Sequence, residues 1–203
     1  MPLTLSAPLT RDWVSRRLLH PADVEADPGF VRYVHPPERT VVQAAVLIPL
    51  INHANGVTMM LTQRTAHLND HAGQISFPGG RVEEDDADRI QTALRETEEE
   101  TGLAREAVEV IGRLPDFDIP SGFRVTPIVG WIEPPVDFNP DPFEVAEVFE
   151  VPLHHFLDPA NHERRSDDIN GRRRNYYAMP YQNRLIWGAT AGMLFSLYQS
   201  LRG

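Results

Sequence analysis

The pattern of apolar positions along the chain predicts mainly strands. The densest apolar run, Val41 to Leu50, has the length and composition of a strand buried in a sheet. Asn55-Gly56 is a strong hairpin signal that leads into a second strand, Val57 to Gln63. Further strands are predicted at Ile75 to Phe77, Val108 to Leu114, Val125 to Ile132 and Val148 to Val151, and near Tyr176 to Met179 after a hairpin signal at Asn170-Gly171.

Apolar residues at helical spacing predict helices between and around these strands. They lie at Trp13 to Leu19, at a middle segment in which Ala87, Ile90, Ala93 and Leu94 repeat, and at Ala189 to Leu201. Because strands outnumber helices and are joined mostly as hairpins, the pattern favours an α+β fold with a mixed sheet. We expect residues 1–40 to form a peripheral helix and a Pro-rich connection, not a separate domain, and residues 41–203 to form the main domain.

The middle helix carries an unusual charge pattern. Asp85 or Asp86 is expected to cap its start, and Gly102 suits the left-handed position after its end. Three glutamates share one face of this helix, at i, i+3 and i+4: Glu96, Glu99 and Glu100.

Acidic side chains at this spacing repel one another, and in the last turn they also face the negative end of the helix dipole. Arg95 offsets only part of this repulsion. A divalent cation such as Mg²⁺ or Mn²⁺ prefers oxygen ligands and would offset the rest. The alternative is a solvated acidic face, but the flanking Gly79-Gly80 and the spacing favour a metal site.

Composition narrows the chemistry further. The chain of 203 residues has a net charge of −10, which argues against a general affinity for nucleic acid or anionic membranes. It contains no Cys, and all 19 of its Lys+Arg residues are Arg, so thiol, disulfide and Schiff-base chemistry are excluded. A nucleophile or base must therefore be a carboxylate, a His, a hydroxyl or a metal-bound water. No apolar run is long enough to span a membrane and the N-terminus lacks a signal-peptide core, so we expect a cytoplasmic location.

The acidic segment resembles the Nudix box, G-x5-E-x7-R-E-U-x-E-E-x-G-U, in which U is aliphatic. Arg95 to Leu103 fits the second half, with Thr97 at one aliphatic position. The interval from Gly80 to Arg95 is one residue longer than in the pattern, so that Asp86 is the nearest counterpart of the first acid.

The coenzyme A pyrophosphatases, a family within the Nudix superfamily, are similar in this extra residue and in an upstream signature, L-L-T-x-R-[SA]-x3-R-x3-G-x3-F-P-G-G. Met60 to Thr65 opens the signature here, and Gly73 and Phe77 to Gly80 close it at the right spacing. Thr65 replaces Ser or Ala, and Asn69 replaces Arg. The likeness extends from about Val41 to Leu201.

This resemblance implies a mixed sheet sandwiched between helices. It also implies Mg²⁺- or Mn²⁺-dependent hydrolysis of the diphosphate of coenzyme A, or of its thioesters, to 3′,5′-ADP and 4′-phosphopantetheine. The implied metal ligands are Glu96, Glu99 and Glu100, with Arg95 orienting a glutamate. Glu99 is the preferred base, and Glu144, in the loop before the Val148 strand, is the second candidate. The substrate-binding candidates are Arg64, Phe77, Gly79 and Gly80.

Several alternatives stay open at this stage. The substrate is coenzyme A or another nucleoside diphosphate derivative such as ADP-ribose, or the domain binds a nucleotide without catalysis; a homodimer is compatible with the sequence. The last candidates are side chains with two readings each. His67 and His71 make a hydrogen bond to the substrate or a structural one. The arginines within residues 164–174 bind a further phosphate or belong to a solvated hairpin. The aromatic rings of Phe117, Phe123 and Trp131 stack on an adenine or pack in the core.

Overall fold

The predicted strands and helices assemble around one large sheet in a computed structural model, in which residues 9–19, 33–67, 73–169 and 172–202 are described. Short 3-10 turns lie at Arg105–Ala107 and Pro159–Asn161. In chain order the elements are α1 (Arg11–Leu19), β1 (Val42–His53), β2 (Gly56–Arg64), β3 (Ile75–Ser76), β4 (Gly79–Arg81), α2 (Arg89–Thr101), β5 (Glu109–Arg113), β6 (Phe117–Asp118), β7 (Phe123–Ile132), β8 (Val145–Pro152), α3 (Leu153–Leu157), β9 (Glu163–Ile169), β10 (Arg172–Tyr181), β11 (Arg184–Trp187) and α4 (Gly188–Arg202).

The main sheet is mixed and contains β1 to β8. Its path runs β3-β2-β1-β7-β5, while β4 pairs with β1, β6 with β7, and β8 with β2. The long central pair, β1 with β7, is parallel, and the other pairs are antiparallel. Strands β9, β10 and β11 form a separate antiparallel sheet.

The central strand β1 buries both of its faces, which explains its nearly continuous apolar sequence. Alternate residues point to opposite sides: Ala45, Leu47 and Ile51 pack under α2, whereas Ile48 and Leu50 pack in the core that includes α1 and α4. The second, larger core also takes in β10 and β11. The sheet therefore lies between two helical layers, and the predicted α+β fold with a mixed sheet between helices is confirmed.

Local signals located most of the elements. The Asn55-Gly56 hairpin is confirmed, because His53 pairs with Gly56 across the β1–β2 turn. Asn170-Gly171 lies outside the described residues, although β9 and β10, which flank it, do pair antiparallel. The short elements β4, β6, α3, β9 and β11 were not predicted, since each is defined by its partners more than by its own sequence pattern.

The three aromatic residues with two readings mostly belong to the core. Trp131 is 2% exposed and Phe117 is 9% exposed, and Phe123 packs partly buried against the same core. In the N-terminal region, α1 packs against β5 and α4, and the division at residue 40 stays a prediction. Among the described residues, no helix is both long and apolar enough to cross a membrane.

Candidate active site

Helix α2 is held firmly at both ends. The predicted cap, Asp85 or Asp86, is wrong: Asp88 caps the helix, because its side chain accepts from the backbone N–H groups of Ile90 and Gln91 at 2.8 and 2.9 Å. Gly102 takes the left-handed conformation after the last turn, as predicted, and its N–H donates to the carbonyl of Glu98. The apolar face of α2 packs on β1, which directs Glu96 and Glu100 towards Gly79 and Gly80. These glycines were expected to form a turn, but they begin β4 after a bend at Pro78 and pair with β1.

Both glycines make close contacts, but only Gly79 lies against backbone that cannot move aside. Gly79 has φ +151°, and a Cβ there would collide with the backbone of Ala45 and Val46 on β1. A Cβ on Gly80 would instead collide with the carboxylate of Glu96. The start of β4 therefore packs against β1 on one side and against the Glu96 side chain on the other.

Glu100 is the most buried of the acidic residues on this face, with 7% of its surface exposed. Its Oε2 accepts from the backbone N–H of Gly79 at 3.3 Å, and its Oε1 lies 3.9 Å from Nη1 of Arg64. Burial raises the pKa of Glu100 to about 8, and repulsion from Glu96 and Glu144 adds to the effect that Gly79 and Arg64 oppose. This carboxyl group is under-neutralised by the protein around it.

Glu96 and Glu99 differ in their surroundings. Burial raises the pKa of Glu96, Arg95 opposes the shift, and Glu99 and Glu144 add repulsion. Glu99 is far more open, with a side chain 59% exposed, and it accepts from Nη1 of Arg95 at 3.2 Å. The same Nη1 donates to Glu96 at 3.1 Å. The orienting role of Arg95 stays a prediction.

Arg95 is itself held by Asp86. Its Nε and Nη2 donate to the two carboxylate oxygens of Asp86, each at 3.0 Å. Asp86 also accepts from Thr92 Oγ1 at 2.8 Å and from the N–H of Glu83 at 2.9 Å. The bonds from Arg95 hold the pKa of Asp86 far below its usual range. Both oxygens of Asp86 are therefore engaged, and Asp86 positions Arg95.

Glu144 lies immediately before β8, in a loop docked against the end of α2. The N–H groups of Asn139 and Asp141 donate to the carbonyls of Thr101 and Glu100 at 2.8 and 3.0 Å. A Cβ on Gly102 would lie 2.8 Å from the backbone of Asn139, so glycine also permits this docking. Glu144 is half-buried and close enough to Glu96 and Glu100 to raise their pKa values.

Arg64 ends β2 at the same edge of the sheet. Beyond its approach to Glu100, its Nε is buried and has no hydrogen-bond partner in the described part of the chain. The next residue, Thr65, donates from Oγ1 to the carbonyl of Phe143 at 2.8 Å. Sequence reasoning noted Thr65 only as a departure from a signature, because no local pattern connects residues so far apart in the chain.

The remaining predicted site residues fall outside this group. The Phe77 ring is 2% exposed and packs in the core, so its part in substrate binding, which stays a prediction, falls to the backbone. His67 is exposed, with its ring centroid 4.9 Å from that of Phe143. His71 and Asn69 lie outside the described residues. Arg165 pairs with Glu163 at 2.6 Å within the β9–β10 hairpin, which agrees with the solvated reading at that position.

The donor atoms at this site suit a hard divalent cation. They are carboxylate oxygens, which such ions prefer as ligands. Burial raises the pKa of Glu96 and of Glu100, and the nearby arginines oppose this shift only in part. In the ranges that the structure describes, no three His, Asp or Glu side chains are gathered into a ready coordination shell. Two of the glutamates, Glu96 and Glu99, accept from Arg95 instead. The donors thus fit a metal in chemical type and charge.

Comparisons with known proteins show the family to which the chain belongs. The NUDIX domain model matches residues 41–170. A protein of Pectobacterium atrosepticum named uncharacterized Nudix hydrolase NudL is 43% identical over 155 residues, which cover 76% of this chain and 80% of the relative. The protein of the same name from Yersinia pestis is 41% identical over 159 residues, with 78% and 79% covered. An Ap4A hydrolase of C. elegans, solved as a binary complex, has a TM-score of 0.46 at 24% identity and covers 56% of this chain and 81% of its own.

The chain belongs to the Nudix family. It is a Nudix hydrolase, an enzyme that cleaves a pyrophosphate bond in a nucleoside diphosphate derivative. Nudix hydrolases generally use divalent metal ions, and the acidic face of α2 supplies ligands of the right type.

Proposed function

We propose that this Nudix hydrolase cleaves the diphosphate of coenzyme A or its thioesters, giving 3′,5′-ADP and 4′-phosphopantetheine or acyl-phosphopantetheine. The observation that carries the proposal is Arg64, the arginine of the upstream signature. It reaches the acidic cluster, with Nη1 3.9 Å from Glu100, and keeps a buried Nε without a partner among the described residues. An arginine with unused donors beside metal-binding carboxylates suits a phosphate oxygen of the substrate.

Glu96, Glu99 and Glu100 are the proposed ligands of Mg²⁺ or Mn²⁺. When bound, the metal screens the charge of the diphosphate and acidifies a water molecule. Arg95 keeps Glu96 and Glu99 oriented, and Asp86 keeps Arg95 in place. The backbone of Gly79 and Gly80 permits a close approach of a phosphate group because neither residue has a side chain.

Glu144 is the better placed of the two base candidates. Glu99 is mostly exposed, and its carboxylate is already engaged, because it shares the Nη1 donor of Arg95 with Glu96. Glu144 faces Glu96 and Glu100 and has no side-chain hydrogen bond in the described part of the protein. It is therefore free to take a proton from the attacking water. A loss of kcat on Glu99→Gln with none on Glu144→Gln would reverse this assignment.

The first test is a turnover panel of coenzyme A, dephospho-coenzyme A and ADP-ribose, each with Mg²⁺ or Mn²⁺. We expect kcat/KM for coenzyme A to exceed the other values at least about tenfold, because an arginine–phosphate bond contributes roughly 1.5–3 kcal/mol. If Arg64 takes part in this discrimination, Arg64→Ala loses more kcat/KM on coenzyme A than on ADP-ribose. Arg113→Ala, at the exposed end of β5, is the matched control and should leave kcat/KM unchanged.

Two results would overturn the proposal. Equal or faster turnover of ADP-ribose by the wild type makes the enzyme a hydrolase of another nucleoside diphosphate derivative. No turnover of any substrate, together with nucleotide binding, makes it a catalytically silent binding domain. A cytoplasmic location, a homodimer and a main domain covering residues 41–203 belong to the same proposal; fractionation, light scattering and limited proteolysis test them.

A further inference from the structure

Thr65 contacts the Glu144 segment twice, from a buried position. Its backbone N–H donates to the carbonyl of Glu144 at 2.9 Å, and its Oγ1 donates to the carbonyl of Phe143 at 2.8 Å. Only 7% of Thr65 is exposed. The two bonds therefore fix the peptide groups on either side of the Glu144 Cα, the atom from which the Glu144 side chain projects.

The sheet is irregular just where these bonds form. Strands β2 and β8 pair regularly from Thr58 to Gln63, then the register shifts so that Arg64 pairs with Val145. A shift of this kind bends the strand and redirects the side chains next to it. The contacts of Thr65 continue the pairing beyond the shift, and they fix the position of the backbone at Glu144.

Other anchors of this loop lie on its far side. The N–H of Asp141 donates to the carbonyl of Glu100, and the N–H of Asn139 donates to the carbonyl of Thr101. The Phe143 side chain is 64% exposed and touches the exposed ring of His67, so its burial adds little. The bonds from Thr65 thus extend the β2–β8 pairing, which ends at Arg64 and Val145, to the Glu144 segment.

We propose that Thr65 is a positioning residue for the reaction, and that its buried hydroxyl holds the backbone of Glu144 in place beside the acidic face of α2. This inference rests on the proposed role of Glu144 as the base. Thr65 does not touch the reacting atoms. It acts through the peptide between Phe143 and Glu144, and small errors in the placement of a base reduce turnover steeply.

The hydroxyl is removable without changing the shape of the side chain. Thr65→Val keeps the branched side chain and the backbone bond to Glu144 but deletes the bond to Phe143, whereas Thr65→Ser keeps the hydroxyl. Thr190→Val is a matched control, since the Oγ1 of Thr190 is also buried and donates to a backbone carbonyl, that of Ile75, at 3.0 Å. It has no contact with the Glu144 segment among those described.

The experiment measures kcat and KM with coenzyme A and with ADP-ribose in Mg²⁺, together with the melting temperature. Thr65→Val is expected to lower kcat about tenfold with KM changed less than about twofold, and Thr65→Ser to stay within about threefold of wild type. Thr190→Val is expected to lower the melting temperature without lowering kcat. In the Glu144→Gln background, Thr65→Val should cause no further loss of kcat, because Thr65 acts only through Glu144.

Four outcomes would overturn the inference. These are an unchanged kcat for Thr65→Val, an effect confined to KM, a loss of kcat that simply multiplies with that of Glu144→Gln, or an equal loss in Thr190→Val. If Glu144→Gln itself retains the wild-type kcat, the base assignment fails and the inference falls with it. If Glu144→Gln is impaired and Thr65→Val is not, only the inference about Thr65 fails.

Discussion

The two ends of α2 carry acidic groups that are treated in opposite ways. At the N-terminal end, Asp86 receives two bonds from Arg95 and one each from Thr92 and Glu83, and its pKa is held far below the usual range. At the C-terminal end, Glu100 is buried with one backbone donor and an arginine at 3.9 Å, and its pKa is raised to about 8.

The difference separates a structural carboxylate from functional ones. A carboxylate whose oxygens are all paired stabilises the fold and offers nothing to a ligand. Buried carboxylates that lack such partners destabilise the fold until a cation binds them, so their presence points to a ligand. Arg95 links the two groups, since it contacts Asp86, Glu96 and Glu99.

The largest expected effect comes from removing charge at the C-terminal group. Glu100→Gln should lower kcat at saturating Mg²⁺ about 100-fold or more, because a ligand to the metal is lost. The metal-free variant should be no less stable than wild type, and added Mg²⁺ or Mn²⁺ should raise the melting temperature of the wild type only.

Glu98→Gln is the control on the same helix, because Glu98 pairs with Arg105 and not with a group of the candidate site. It should leave kcat unchanged. Near-wild-type turnover of both Glu99→Gln and Glu100→Gln would show that the acidic face does not hold the catalytic metal.

The next effect in size tests the paired group. Asp86→Asn should lower the free energy of unfolding by about 2 kcal/mol at pH 7, because charge-assisted bonds to Arg95 are lost. The folded-state pKa of Asp86 lies below its unfolded value of 3.8, so its contribution is present above about pH 4 and is lost as the pH falls further. The gap between wild type and Asp86→Asn should therefore narrow from pH 7 to pH 2.5, as urea unfolding can measure.

Glu109→Gln, which breaks the exposed pair with Arg11, is the control for that measurement and should change stability little. A gap that stays constant with pH would mean that the charge of Asp86 does not contribute.

The smallest expected effect concerns Gly79 and Gly80, the first two residues of β4. Gly80→Ala places a Cβ against the Glu96 carboxylate, which can move because it ends a flexible side chain, so the fold should persist while kcat falls about tenfold. Gly79→Ala collides with the backbone of Ala45 at φ +151° and should instead lower the melting temperature. Unchanged kcat in Gly80→Ala would mean that the position of Glu96 is not critical.

Much of this fold was predictable from local signals. The run from Val41 to Leu50, the Asn55-Gly56 turn and Gly102 after the acidic helix each act through neighbours in sequence, and each was located to within a few residues. Asp88 was missed as the helix cap because three candidate aspartates lie within four positions, and the tie was decided by the bonds from Arg95 and Thr92 that engage Asp86 elsewhere.

By itself, the sequence determined the chemistry of the site: glutamates at helical spacing, an arginine beside them, a glycine turn before them, and no thiol or amine to compete. The tertiary structure decided which of these groups are neutralised. Three contacts decide this, and each joins residues that are apart in the chain. Arg95 pairs with Asp86, Glu100 accepts from the backbone of Gly79, and Thr65 donates to the carbonyl of Phe143 next to Glu144. Burial and charge depend on distance in space, and the spacing of residues along the chain fixes that distance only within a single helix or hairpin.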